Sequence, residues 1–299
     1  MARQKQRGRD DRRPPITKAV VPAAGRGTRL LPATRSQPKE MLPVGRKPAI
    51  QHVVEELTTA GLHEVLVVSG QGKRALEDHL DRDAVRGDAP REPWMNLKFF
   101  FARQTRPRGL ADAIATAEPF AAGQPLVVAL GDSITLSRSP RPPLQRMIEV
   151  HQKRRPAATI LVQEVPREAI SRYGIVAPKG EPAPVFPIRG FVEKPSPSEA
   201  PSNLAAAGRY VLEPVVFDAI RRIKPGIGGD LWLTDALQLL LEEGYEIMCV
   251  RLRKGERRLD IGDFSSYYRT FVEMALLDHD YGPGLRSWLR RRLAARSDW

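Results

Sequence analysis

A short run ending in Val20-Val21-Pro22 opens directly onto Ala23-Ala24-Gly25-Arg26-Gly27-Thr28-Arg29, and a proline-broken stretch then leads to Lys39-Glu40-Met41-Leu42-Pro43. This junction constrains the chain more than any other feature. Small residues let the backbone approach a ligand, and the exposed N–H groups of such a turn form a concavity for anions. Arg29 and Lys39 add fixed positive charge for phosphate oxygens. A Walker loop would end Gly-Lys-Ser/Thr, which is missing, and a dinucleotide fingerprint needs a third glycine where Leu30 stands. The stretch therefore reads as a triphosphate cradle following a strand.

Cradles of this kind belong to α/β sheets, and the rest of the first half agrees. Strands are expected at Ala19–Ala23, Glu64–Ser69, Leu97–Ala102 and Leu126–Leu130. Between the first two, Ile50, Val53, Val54 and Leu57 fall at i, i+3, i+4 and i+7, one face of a helix that Gly61 ends. Alternating strands and helices predict a doubly wound, mostly parallel, Rossmann-like sheet. Ligands sit beyond the carboxyl ends of its strands. The glycine loop and Gly131-Asp132 both follow strands and so share one rim.

After Pro156 the character changes to a mixed, strand-rich half: Ala158–Val165, Gly174–Ala177, Ile188–Glu193 and Ala206–Leu212, with Pro178 to Pro187 as a connection. A helix is expected from Leu233 to Glu243. Another starts at Asp263, with Phe264, Tyr267, Tyr268, Phe271 and Ala275 at helical spacing, and this stripe is expected in the core. A final helix carries Leu285, Trp288, Leu289 and Leu293 opposite arginines, and is expected to pack on the body or on a second subunit. The implied division is a disordered basic tail at 1–15, a catalytic domain at 16–280 and a basic amphipathic helix at 281–299.

The net charge of +13 raises the question of nucleic acid. Six basic residues against Asp10 and Asp11 give the first fifteen positions +4, and five arginines against Asp298 give positions 286–299 another +4. Neither end interleaves aromatics with its charges as a base-stacking platform would. A solvated tail is the expectation, with no specific nucleic-acid partner. Cys249 is the only cysteine, which excludes an internal disulfide and suits a reducing cytoplasm. No apolar run reaches the roughly 18 residues of a membrane span. The five histidines lack metal-ligand spacing, and no Gly-x-Ser-x-Gly elbow occurs.

The cradle resembles the signature of the sugar-1-phosphate nucleotidyltransferases, and the form ending Lys-Glu-Met-Leu-Pro is most similar to their glucose-1-phosphate uridylyltransferase branch. The likeness continues in order to about Leu293. It implies that Ala24, Gly25, Gly27 and Thr28 hold the nucleotide, with Arg29 and Lys39 as catalytic cations. Ala102-Arg103-Gln104 and Gly109-Leu110-Ala111 resemble the base-reading segment, which gives Gln104 and Gly109 to the nucleotide. A primary amide such as Gln104 complements the imide edge of uracil or thymine. Asp132 and Asp260 match the positions that hold Mg²⁺. Tyr173-Gly174 and Phe191-Val192-Glu193-Lys194-Pro195 resemble the sugar-phosphate pocket, with Gly174 and Glu193 at the hexose and Lys194 at its phosphate.

The resemblance implies that UTP and glucose 1-phosphate are joined in a cytoplasmic homo-oligomer without membrane contact. The same reaction with dTTP stays open, as does a silent regulatory relative that only binds sugar nucleotide. The chain departs from the pattern at Asp230-Leu231-Trp232, where Glu-Ile-Gln is expected. It also looks shorter between His79 and Gln104.

Overall fold

The computed structural model describes residues 14–81 and 92–294. The tail expected at 1–15 lies almost wholly outside them, as do positions 295–299 of the expected last helix and positions 82–91 of the shortened stretch before Gln104.

One nine-stranded sheet organises the described residues. Four strands form its parallel half: β1 (Lys18–Pro22), β4 (Glu64–Ser69), β5 (Lys98–Arg103) and β6 (Leu126–Ala129). Their order is β5-β4-β1-β6, with β1 parallel to both β4 and β6. The inner strands β1, β4 and β6 are covered on both faces, so they read as continuous Val-rich runs rather than alternating ones, while the edge strand β5 leaves Phe100 and Phe101 exposed. Val20 and Val128 face one core with Ile114 of α3 (Leu110–Ala115) and Leu237 of α7 (Leu233–Glu242). Ala19, Val21 and Val127 face the other, with Ile50, Val53, Val54 and Leu57 of α1 (Ala49–Thr59) and Met147 of α5 (Pro143–Arg154).

The second half turns mixed, as expected. β11 (Leu204–Leu212) runs antiparallel to β6 and joins the halves, and β8 (Ala158–Glu164) runs antiparallel to β11. β12 (Ile247–Arg251), β10 (Val185–Glu193) and β9 (Gly174–Pro178) complete the sheet. Two points differ from the sequence reading. β10 begins inside the presumed proline-rich connection, because Pro187 lies opposite Met248 of β12 as part of the strand. The apolar run around Cys249 is itself a central strand, parallel to β8.

Two short pairs lie outside this sheet. β2 (Pro43–Val44) pairs with β3 (Lys47–Pro48), and β7 (Ser133–Leu136) pairs with β13 (Arg257–Asp260). The second pair shapes the site, because it sets Asp260 opposite Ser133. Helices α2 (Arg74–Leu80), α4 (Glu118–Ala121) and α6 (Val215–Arg222) flank the sheet.

The last two helices correct an expectation. In α8 (Phe264–Leu277), opened by an Asp263–Ser266 capping box, Thr270 is the buried residue, while Tyr268 is 61% and Phe271 37% exposed. In α9 (Gly282–Ala294) Trp288 and Leu293 are exposed. Helical periodicity identified their apolar stripes correctly, but the body covers them only in part: Tyr267 packs against the small cluster of Val44, Ala49, Ile134 and Ile261, while Tyr268, Phe271, Trp288 and Leu293 stay exposed.

Candidate active site

The carboxyl ends of β1 and β6, the start of β9 and the end of β10 surround a cleft of about 770 Å³. Every candidate residue named from the sequence lines it: Ala24, Gly25, Gly27, Thr28, Arg29, Lys39, Gln104, Gly109, Asp132, Gly174, Glu193, Lys194 and Asp260. The volume is that of a small-molecule site.

The glycine loop takes its shape from backbone that only glycine adopts cheaply. Gly27 has φ +64°, and a Cβ there would lie 3.2 Å from Thr34 Cγ2. Its carbonyl accepts the Thr34 hydroxyl at 2.8 Å, closing the turn. Lys39 follows in a single 3-10 turn, Lys39–Met41. Arg29 is exposed at the mouth, near Asp263. The Ser266 N–H holds Asp263 below the ordinary carboxylate range, with smaller help from Arg172 and Arg29.

Lys39 Nζ donates to Asp132 Oδ2 at 2.5 Å. Burial pushes the Asp132 carboxyl up, but the charge and hydrogen bond of Lys39, with Arg258 beyond, outweigh it and leave the group below its usual range. Burial likewise pushes Lys39 down, and Asp132, Glu40 and Asp260 together carry it above the usual lysine value. Both groups are therefore charged at neutral pH.

Asp260 stands beside this pair. Ile261 N–H donates to Asp132 O at 3.2 Å, tying the end of β13 to the strand end that carries Asp132. Asp260 accepts from the Gly262 N–H at 3.2 Å and lies 3.3 Å from the Arg258 guanidinium. The donor set suits a hard divalent cation. It offers carboxylates, and no histidine or cysteine lines the cleft among the described residues. With two protein ligands, a cation there would draw the rest from phosphate oxygens and water.

Gln104 is buried at the end of β5, and its amide is oriented. Nε2 donates to Asp112 Oδ2 at 2.6 Å and weakly to Gly109 O at 3.4 Å. A carboxylate cannot donate, so Asp112 settles which end of the amide is nitrogen. The end left for a base is Oε1, an acceptor. Gly109, at φ +99°, could not carry a side chain: a Cβ would lie 2.4 Å from Leu231 O.

At the far end, β10 delivers Glu193 and Lys194. Glu193 Oε2 accepts the Thr234 hydroxyl at 2.5 Å, and Lys194 Nζ lies 3.8 Å from the Trp232 ring centroid. A Cβ on Gly174 would be 2.9 Å from the Phe191 ring, so this glycine lets the two strands close up.

Several contributors had no assigned role in the sequence reading. Glu40 is 1% exposed and pairs with Lys73, itself buried, at 2.8 Å. Burial pushes Glu40 up and Lys73 down, each only partly offset by the other. Glu40 was visible inside the Lys39–Pro43 motif, but Lys73 carried no local signal. Arg258 donates to Ser133 Oγ at 3.0 Å and lies over the Tyr173 ring. Asp112 was legible only as part of a helix start.

Residues 18–275 match the family described as nucleotidyl transferase. A UTP–glucose-1-phosphate uridylyltransferase of Streptococcus pneumoniae serotype 4 is 38% identical over 287 residues, 92% of this chain and 95% of that protein. A crystal structure of UDP-glucose pyrophosphorylase complexed with UDP-glucose superposes with a TM-score of 0.78 at 34% identity, over 86% of this chain and 97% of the other. A UTP-bound UGPase from Acinetobacter baumannii superposes with a TM-score of 0.80 at 28% identity, over 92% and 98%.

Proposed function

This chain belongs to the nucleotidyl transferase family, and from that premise we propose that it joins UTP and glucose 1-phosphate to give UDP-glucose and pyrophosphate. The observation that carries the reading is the pairing of β7 with β13. It sets Asp132 beside Asp260 in a cleft whose cations, Lys39 and Lys194, come from opposite halves of the sheet.

The chemistry is a displacement at the α-phosphorus of UTP. A phosphate oxygen of the sugar phosphate forms the new P–O bond as the bond to the β-phosphate oxygen breaks, and pyrophosphate leaves with that electron pair. The nucleophile is already anionic, so no strong base is needed. Alignment and charge stabilisation supply the rate. The glycine loop, through Ala24, Gly25, Gly27 and Thr28, holds the triphosphate, while Arg29 and Lys39 offset charge on the α-phosphate and the leaving group. Gln104 Oε1 accepts the imide N–H of uracil, and Gly109 lets the base lie against backbone. Glu193 accepts sugar hydroxyls beside Gly174, and Lys194 holds the attacking phosphate. Asp132 and Asp260 would hold Mg²⁺, which would supply positive charge for phosphate oxygens.

The apolar residues exposed on α8 and α9, among them Tyr268, Phe271 and Trp288, support a second copy of the chain as the covering surface. Sedimentation should then show an oligomer. No described helix is long and apolar enough to cross a membrane. The single buried Cys249 suits the reducing cytoplasm as the place of reaction.

Pyrophosphate release from a matrix of nucleoside triphosphates and sugar 1-phosphates tests the reaction. UTP with glucose 1-phosphate should be the preferred pair, and silence across the matrix would favour a protein that only binds sugar nucleotide.

A further inference from the structure

Lys194 immediately follows β10 in a conformation that its sequence position disfavours. Its φ is +44°, in the left-handed region, and the following Pro195 biases it toward extended backbone. The Lys194 N–H donates to Tyr173 O at 3.0 Å, which pins the turn. The ammonium then lies 3.8 Å from the Trp232 ring centroid and 3.5 Å from Glu193 Oε1.

Trp232 is fixed in its turn. It immediately precedes α7, and its carbonyl accepts from Asp235 N at 3.2 Å. Backbone at Gly226 packs against the ring edge, where a Cβ would lie 3.1 Å from Trp232 Cδ1. Two residues later on the same helix start, the Thr234 hydroxyl holds Glu193. One helix start thus grips two consecutive residues of one strand end, the carboxylate through a hydroxyl and the ammonium through a ring face.

The ring matters because of what it leaves undone. A second carboxylate beside Glu193 would neutralise the lysine further and would have to be displaced by an incoming phosphate. A π face attracts the cation through its quadrupole and adds no negative charge to that of Glu193. This is also the position where a glutamine was expected.

We propose that Trp232 is a positioning residue for the sugar 1-phosphate: its ring holds the Lys194 ammonium where the substrate phosphate docks. The inference rests on the assignment of Lys194 to the sugar phosphate. It concerns that substrate alone, since the triphosphate cradle lies on the other half of the sheet.

Steady-state kinetics of the full chain, varying each substrate in turn, tests it. Trp232→Ala should raise KM for glucose 1-phosphate by about three- to tenfold, between the scales of an exposed and a desolvated cation–π contact. KM for UTP should stay near wild type, and kcat should fall less than the sugar-phosphate KM rises. Trp232→Phe, which keeps a π face, should recover most of the loss. Should Trp232→Ala not fold, Trp232→Leu carries the same expectation. In a Lys194→Met background, Trp232→Ala should add nothing further. Unchanged sugar-phosphate KM, equal effects on both substrates, no rescue by phenylalanine, or a full Trp232 effect without Lys194 would each overturn the inference. A wild-type protein that makes no UDP-glucose from these substrates would instead overturn the proposed reaction.

Discussion

The Lys39 ammonium and the Asp132 carboxylate meet at 2.5 Å, although 93 residues separate them in the chain. The contact joins the loop after β1 to the end of β6, and each group sustains the charge of the other. In the proposed reaction a triphosphate entering the cleft takes over Lys39 and releases Asp132, which would make the pair a preorganised charge site as well as a structural contact.

Removing the cation should therefore damage chemistry more than fold. Lys39→Ala is expected to lower turnover by about two to three decades, the scale of losing one charge-stabilising donor. Circular dichroism and thermal melting should show a native protein. Wild-type turnover in that folded variant would refute the assignment of Lys39.

The two carboxylates should respond to metal. Asp132→Asn and Asp260→Asn keep side-chain shape but remove charge, so the activity lost should be partly recovered at raised Mg²⁺. Chelation should silence the wild type. If both variants show the wild-type dependence on Mg²⁺, these residues are not paired ligands.

Stability should carry the signature of the same pair. The Asp132 carboxyl titrates below its unfolded value of 3.8, so its contribution is full above that pH and is lost as pH falls through the lower folded value. Lys39 titrates above its unfolded value of 10.5, so its contribution is full below that pH and is lost as pH rises through the higher folded value. Urea midpoints of wild type and Asp132→Asn should differ by a constant amount across the neutral range and converge at both extremes. A difference independent of pH would count against the ion pair.

Glu40 and Lys73 should show the opposite economy. Each is pushed toward its neutral form by burial, so the pair is expensive, and breaking it strands a charge. Glu40→Gln or Lys73→Met alone should destabilise by about 3–5 kcal/mol, while the double variant should cost less than either. Glutamine is chosen because Glu40 Cγ lies 3.2 Å from where a Cβ on Gly131 would stand, so volume there must be kept. Additive losses in chemical denaturation would show that the two residues act independently.

Base choice should depend on the Gln104 oxygen. With Nε2 engaged by Asp112, Oε1 can accept from the ring N–H of uracil, which cytosine lacks. UTP should exceed CTP, ATP and GTP, with dTTP the close competitor because its imide edge is the same. Gln104→Ala should shrink the UTP-over-CTP ratio in kcat/KM more than it weakens sugar-phosphate binding. A purine donor as the best substrate, or an unchanged ratio, would remove Gln104 from base reading.

Much of this was legible in local pattern. The Val-rich run Glu64–Ser69 is strand β4 end to end, because a strand covered on both faces needs apolar residues without interruption. The stripe Ile50, Val53, Val54 and Leu57 is the buried face of α1, because 3.6 residues per turn bring those positions together. The glycine loop was legible because its residues must satisfy backbone geometry and phosphate charge within one short segment. The same periodicity misled at α8, where Tyr268 and Phe271 share an apolar face that the body leaves exposed. Pattern identifies a face and is silent about what lies against it.

By itself, then, the sequence determined the elements whose causes are local: the strands, the amphipathic helices, the glycine turn and the types of side chain available for phosphate, base and sugar. Only the tertiary structure decided which of those groups meet. Asp260 stands beside Asp132 because β13 pairs with β7, and Lys73 neutralises Glu40 because α2 packs below the cradle. Trp232 holds Lys194 because one helix start abuts one strand end. Such contacts depend on long-range register and on the balance between desolvation and pairing. Neither leaves a periodic trace in the residues on either side.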